Sequence, residues 1–283
     1  MTSVATLPDR SRPFGARVRS AILPIFTTLV VAYLFLPIVV MAVFGFNDIQ
    51  GRFNFAWQGF TLDHWANVFD RYPALNQALL NSLTIAMLST TVATVLGTLI
   101  GLALTRYDFR GRGPLNLLIF LPIATPEIVL GASLLALFVS VATPLGLPTV
   151  DIAHIMFNIS FVVVTVRARI AGFDRALEEA AMDLGADEWA TFRKITFPLI
   201  FPGILAAALL AFALSIDDFV ITQFTAGQTL TFPLWVYGAS RIGVPPQVNV
   251  MGTLIFLIAL VGIVLWIFLQ RRDLSAPPTR LDR

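Results

Sequence analysis

Apolar and polar positions along this chain fall into long alternating blocks. Apolar runs occupy about residues 21–46, 75–104, 115–139, 150–166, 198–224 and 250–269. A helix needs about 20 apolar residues to cross the hydrocarbon of a bilayer, within a range of roughly 17 to 25. Six transmembrane helices are therefore predicted, in a membrane domain over 21–270 flanked by polar tails at 1–20 and 271–283. The first run is longer than the apolar core of a secretory leader and lacks a small-x-small cleavage site, so it reads as an uncleaved span. Pro122 and Pro126 fall inside the third run. Each removes a backbone donor and crowds the preceding turn, which predicts a kinked or broken helix. From Asn47 to about Ala74 the chain is polar but carries Phe53, Phe55, Trp57, Phe60 and Trp65, side chains suited to a membrane interface. There Leu62, Trp65 and Phe69 recur at helical spacing, predicting a short helix over 61–69. A second short helix is predicted over 234–241.

Composition sharpens the class. The chain is 57% apolar and 13% charged, with a mean hydropathy of +0.81. Soluble domains run near 45–50% and about 25%, so the excess marks an all-α polytopic membrane protein. The absence of cysteine excludes disulfides and thiolate metal sites. His64 and His154 stand apart from other ligand types and predict no metal centre. His64 reads as a solvated loop residue and His154 as a polar residue at a span end. The pI near 9.4 does not imply nucleic acid, because the basic residues are distributed by topology. With the N-terminus inside, six spans leave only Arg52, Arg71 and Arg241 of the 19 basic residues on the outer side. The positive-inside rule thus predicts cytoplasmic termini and places the polar loop 167–198 in the cytoplasm.

That loop is the most charged segment between two apolar runs. From Arg175 to Leu184 the pattern is helical, with Ala176, Ala180, Ala181 and Leu184 on one face and Glu178, Glu179 and Asp183 on the other. The carboxylates near the helix start favour the positive end of its dipole. Gly185 is placed to end the helix in a left-handed turn. Asp187 can cap a second short helix through Glu188, Trp189, Phe192 and Ile195, and Pro198 suits the first turn of the following span.

Glu179-Ala180-Ala181, then three residues, Gly185, nine residues, and Ile195-Thr196-Phe197-Pro198 resemble the EAA loop of ABC importer membrane subunits. The pattern departs from that family only at Phe197, where leucine is usual. RALEEAAMDLGADEWATFRKITFPLIFPGI, SIDDFVITQF and TFPLWVYGASRIGVPPQVN together are similar to the permease subunits of spermidine/putrescine importers. The resemblance covers residues 21–270 and is most specific from Arg175 to Asn249. It implies a type I ABC importer permease fold in a bacterial inner membrane, with no catalysis in this chain. It also implies a second homologous permease, a homodimeric ATPase that binds ATP and Mg, and an extracytoplasmic polyamine-binding protein. Glu178, Glu179, Ala180, Ala181, Gly185, Ile195 and Pro198 would then couple this chain to the ATPase. No G-x-x-x-x-G-K-[ST] phosphate loop is present, so ATP chemistry falls to the partner.

Glu127, Asp217 and Asp218 lie in or beside predicted spans, where a carboxylate costs about 2.5–3.5 kcal/mol on insertion scales. One reading is a cation pathway in which these acids, with the faces of Trp235 and Tyr237, meet a di- or tri-ammonium cargo. The other is structural: Asp217 or Asp218 caps a helix break, pairs with Arg241, or sits at an aqueous end. Opine, aminoethylphosphonate, ferric iron and thiamine remain alternative cargoes of the same mechanism. The spans hold no converging arginines for an anion. A proton-coupled secondary transporter is disfavoured by the lack of an internal repeat, and a membrane enzyme by the lack of a nucleophile–base pair.

Overall fold

The computed structural model describes residues 14–274; the predicted tails fall largely outside them. The described residues are helical, with one isolated bridge between Asn47 and Phe60. In order they form α1 (Phe14–Phe44), α2 (Asp63–Ala66), α3 (Pro73–Arg106), α4 (Arg112–Ala124) and α5 (Glu127–Ser140). Next come α6 (Leu147–Ala171), α7 (Ala176–Asp183), α8 (Glu188–Thr191), a π turn (Phe192–Thr196) and α9 (Phe197–Asp217). α10 (Val220–Thr225), α11 (Phe232–Ile242) and α12 (Pro246–Leu274) complete the chain. Among the described residues, four helices are long and apolar enough to cross a membrane, or five if α4 and α5 count as one broken span.

α4 and α5 meet at 111°. Thr125 is held extended (ψ 133°) by the ring of Pro126, which disfavours the helical region for the residue before it. α5 restarts with Glu127 in its first turn, where a carboxylate faces the positive end of the helix dipole. Pro122, by contrast, is carried within α4. The fifth apolar run is also interrupted: α9 ends at Asp217, Asp218 is extended (ψ 124°), and α10 restarts at Val220.

The chain forms two compact units. In the unit of residues 1–71 and 242–283, α1 runs along α12, with Phe35 edge-on to Phe256 at 6.2 Å. The loop after α1 is organised by Asn47. Its amide donates to Asn54 Oδ1 (2.6 Å) and the Ala56 carbonyl (2.7 Å), and its Oδ1 accepts Gln58 N–H (2.7 Å). His64 is buried here. Its Nδ1 accepts from Gln247 Nε2 at 3.0 Å, and its Nε2 lies 3.2 Å from the Asn47 carbonyl. This corrects its reading as a solvated loop residue: polar partners from two segments make its burial affordable.

In the unit of residues 72–241, α3, α6 and α9 form the core. α3 presents small residues to α6, and a Cβ built on Gly97 would fall 2.6 Å from Val162 Cγ1. Small side chains allow such close backbone approach where lipid supplies no hydrophobic drive for helix pairing. Val162, Val166, Ile170, Ile200, Ala207 and Ala211 make one buried cluster of α6 and α9. α6 begins earlier than its apolar run because the Thr149 hydroxyl accepts Gly146 N–H and sits 2.8 Å from the Thr225 carbonyl, joining α6 to the end of α10.

Candidate functional site: the polar loop between α6 and α9

Local chemistry builds this loop in short steps. Asp174 Oδ1 accepts Ala176 N–H at 3.0 Å and starts α7. The helix closes at Gly185, whose φ is +89°, while Gly185 N–H reaches the Met182 carbonyl (2.9 Å) and Ala186 N–H that of Ala181 (3.1 Å). Asp187 then accepts Ala190 N–H at 2.6 Å and starts α8. α8 does not stop before the next span. It passes through the π turn, where Phe197 N–H bonds to the Phe192 carbonyl, straight into α9. The wider turn admits Pro198, which has no N–H to donate, so Ile195 and Pro198 belong to one continuous helix.

The two adjacent glutamates of α7 are placed oppositely. Glu179 is exposed, as the amphipathic pattern predicts. Glu178 is not on that acidic face: its side chain is 8% exposed. Both its oxygens engage Arg106, with Oε1 2.5 Å from Nη2, and Thr196 donates its hydroxyl to Oε1. The Arg106 guanidinium also lies 6.0 Å from the Phe173 ring centre. Burial alone would raise the Glu178 pKa, but hydrogen bonds from Arg106 and Thr196 and the charges of Arg106 and Arg175 outweigh it and hold the carboxyl below its usual range. Ala180 is exposed and Ala181 half-buried, so the alanine face is turned partly toward water.

Beside this junction lies a cleft of about 750 Å³, bounded by Leu102, Arg106, Glu179, Met182, Trp189 and Phe192 among others. Leu184 is 90% and Trp189 69% exposed, with Leu177 and Met182 also open. Trp189 stacks on Phe192 at 5.8 Å. Large apolar side chains grouped with acids on a polar loop and on the first turn of the helix that follows it are characteristic of a contact surface.

The predicted pathway residues separate. Glu127 is exposed at the start of α5 and Asp217 at the end of α9. Asp218 is a structural cap: its Oδ2 accepts Thr222 N–H (2.8 Å) and the Thr222 hydroxyl (2.7 Å), and lies 3.3 Å from His154 Nε2. Tyr237 is flanked by Phe219 at 4.6 Å and the Arg241 guanidinium at 4.7 Å, so its ring already serves a cation of this chain. Arg241 thus pairs with Tyr237, whose hydroxyl accepts its hydrogen bond. Trp235 is half-buried, edge-on to Tyr72 at 6.1 Å.

His154 is buried, which corrects its reading as a polar span-end residue. Its Nδ1 lies 2.7 Å from Ser215 Oγ, itself 3.0 Å from Ser89 Oγ, so a polar chain links α3, α6, α9 and α10. Asp151 and Asn158 are buried on the same helix and have polar atoms without a partner among the described residues. Sequence reasoning missed both, although the 151, 154, 158 spacing on one helical face was a usable signal.

Long apolar helices, one pair of them sharply broken, define an integral membrane protein, and a loop between two of them shows both acids and large apolar side chains. The chain belongs to the binding-protein-dependent transport system inner membrane component family, which matches residues 93–272. It is similar to the Escherichia coli K12 spermidine/putrescine transport system permease protein PotC, 40% identical over 240 residues covering 84% of this chain and 90% of the relative. The putrescine transport system permease protein PotI of the same strain is 36% identical over 250 residues, 85% and 88% of the two chains. In fold, a chain of a bacterial ABC transporter involved in alginate import aligns with TM-score 0.64 at 16% identity, over 94% of this chain and 99% of its own length. A chain of the MetNI methionine ABC transporter gives 0.55 at 19%, over 72% and 96%.

Proposed function

We propose that this chain is the permease subunit of an ATP-driven polyamine importer in a bacterial inner membrane. It forms half of the translocation pathway beside a second homologous permease. It has six spans with cytoplasmic termini, a topology supported by the distribution of basic residues. A separate homodimeric ATPase binds ATP and Mg and pushes on α7 and α8, and a binding protein delivers spermidine or putrescine from outside. The observation that carries the coupling role is the exposure of Leu184 and Trp189 beside Glu179. Similarity along most of the chain to PotC and PotI supports the cargo class. Glu179, Ala180, Ala181 and Gly185 are the docking edge, and Ile195 and Pro198 continue it into α9. Closure of the ATPase would tilt the spans as rigid bodies.

Cells lacking polyamine uptake and supplied with this chain, its second permease, ATPase and binding protein are expected to accumulate labelled spermidine or putrescine. Competition by thiamine, ferric iron or an opine, with no competition by polyamine, would replace the cargo. Leu184→Glu with Trp189→Ala is expected to reduce ATPase co-purification by about tenfold or more, the scale of an interface anchor, while the permease still inserts. Gly185→Val is expected to act in the same direction without a steric clash: no atom lies within 4 Å of the added Cβ, but positive φ is costly for a β-branched residue. Normal uptake with either variant would remove the coupling assignment.

A further inference from the structure

One buried carboxylate ties the loop to two long helices. Glu178 sits on α7, Arg106 is the last residue of the 34-residue α3, and Thr196 is the last residue of the π turn that leads into α9. Arg106 engages both Glu178 oxygens while Thr196 donates to one of them. Arg175, immediately before α7, adds a hydrogen bond from Nη2 to the Thr105 carbonyl at 3.3 Å. A two-pronged arginine–carboxylate pair fixes orientation as well as distance, unlike a single-point contact. With its oxygens occupied and its side chain almost fully covered, Glu178 is not available to dock a partner. Its neighbour Glu179 is.

We infer that Glu178 and Arg106 are the positioning pair of this permease: they transmit displacement of α7 into α3 and α9, and take no part in holding the ATPase. The inference rests on the proposed coupling role of the loop and divides that loop by task. Glu179, Leu184 and Trp189 receive the ATPase; Glu178 carries its movement inward. The π turn suits this junction, since its wider hydrogen-bond spacing marks a local departure from α geometry of a kind often found at functional sites. Removing Arg106 strips the buried Glu178 of its two-pronged partner, and removing the Glu178 charge leaves the half-buried Arg106 without its carboxylate, so the joint should fail as a unit.

The test uses the whole importer reconstituted in proteoliposomes, with uptake of labelled spermidine and ATP hydrolysis measured on the same sample. Glu178→Gln and Arg106→Gln are each expected to retain the ATPase and its hydrolysis but to lower uptake per ATP by about tenfold or more. The double charge swap Glu178→Arg with Arg106→Glu is expected to recover a substantial part of that ratio, which general destabilisation would not do. Thr196→Val, close in volume to the native residue, is expected to give a smaller loss and covers the case in which a charge variant fails to fold. Loss of ATPase retention equal to that of the Leu184 and Trp189 variant would make Glu178 a docking residue and overturn the inference. An unchanged uptake-to-hydrolysis ratio in all three single variants would overturn it as well. If the Leu184 and Trp189 variant also leaves retention and uptake intact, the coupling role of the loop itself fails, which is a distinguishable result.

Discussion

Replacing Gly97 with valine is expected to destabilise this chain severely, by about 3 kcal/mol or more, at the upper end of overpacking effects in well-packed interiors. An added Cβ alone would stand 2.6 Å from Val162 Cγ1 and 2.7 Å from its Cβ. Val162 is fully buried and β-branched, so it cannot swing aside. The backbones of α3 and α6 would have to part. Gly101 is the internal control, because its added Cβ would meet Val166 Cγ1 at 3.5 Å, an ordinary contact. Thermal unfolding of the detergent-purified protein, followed by loss of the monodisperse size-exclusion peak, should show a large drop for Gly97→Val and little change for Gly101→Ala. A Gly97→Val protein that melts with the wild type would mean α3 and α6 are not packed this closely.

The elements most legible in the sequence are those whose cause is local. Pro126 disfavours helical geometry at Thr125, so a break in the third apolar run could be expected from a few residues, and α4 and α5 meet there at 111°. Gly185 and Asp187 act through their immediate neighbours and end and restart the loop helices where their chemistry requires. Features decided by distant partners were not legible. Glu178 and Glu179 are adjacent and chemically alike; what separates them is Arg106, 72 positions away from Glu178. His154 lies in an apolar run, and its meaning comes from Ser215 and Thr222, 61 and 68 positions later. Averaged hydropathy hides such residues, because one polar stripe on a long helix scarcely lowers the mean. The continuity of α8 into α9 was missed for another reason: Pro198 reads as a helix start, whereas a π turn lets the helix pass it.

The two aspartates at the α9–α10 break, equivalent by charge and position, are expected to separate in experiment. Asp218→Ala removes the acceptor for Thr222 N–H, for the Thr222 hydroxyl and for His154. Loss of a helix cap costs about 0.5–2 kcal/mol, and a buried polar group left unsatisfied adds about 1–3 kcal/mol, so the variant should melt early and transport poorly for that reason. Asp218→Asn keeps an oxygen for the cap and should be clearly milder. Asp217 is exposed at the end of α9, so Asp217→Asn should leave the melting temperature near that of the parent. If a cation pathway passes this break, Asp217→Asn should nevertheless reduce spermidine uptake by several-fold while ATPase association is kept, since an acid beside a span costs enough to require a role. Uptake at parental level in Asp217→Asn would remove Asp217 from the pathway. Equal melting of Asp218→Ala and the parent would remove the cap. Of the five side chains first considered for the cargo, Asp218 is taken up by its own helix and Tyr237 by Arg241. Asp217, exposed at the break and free of such a role, is where a cation route through these residues is tested first.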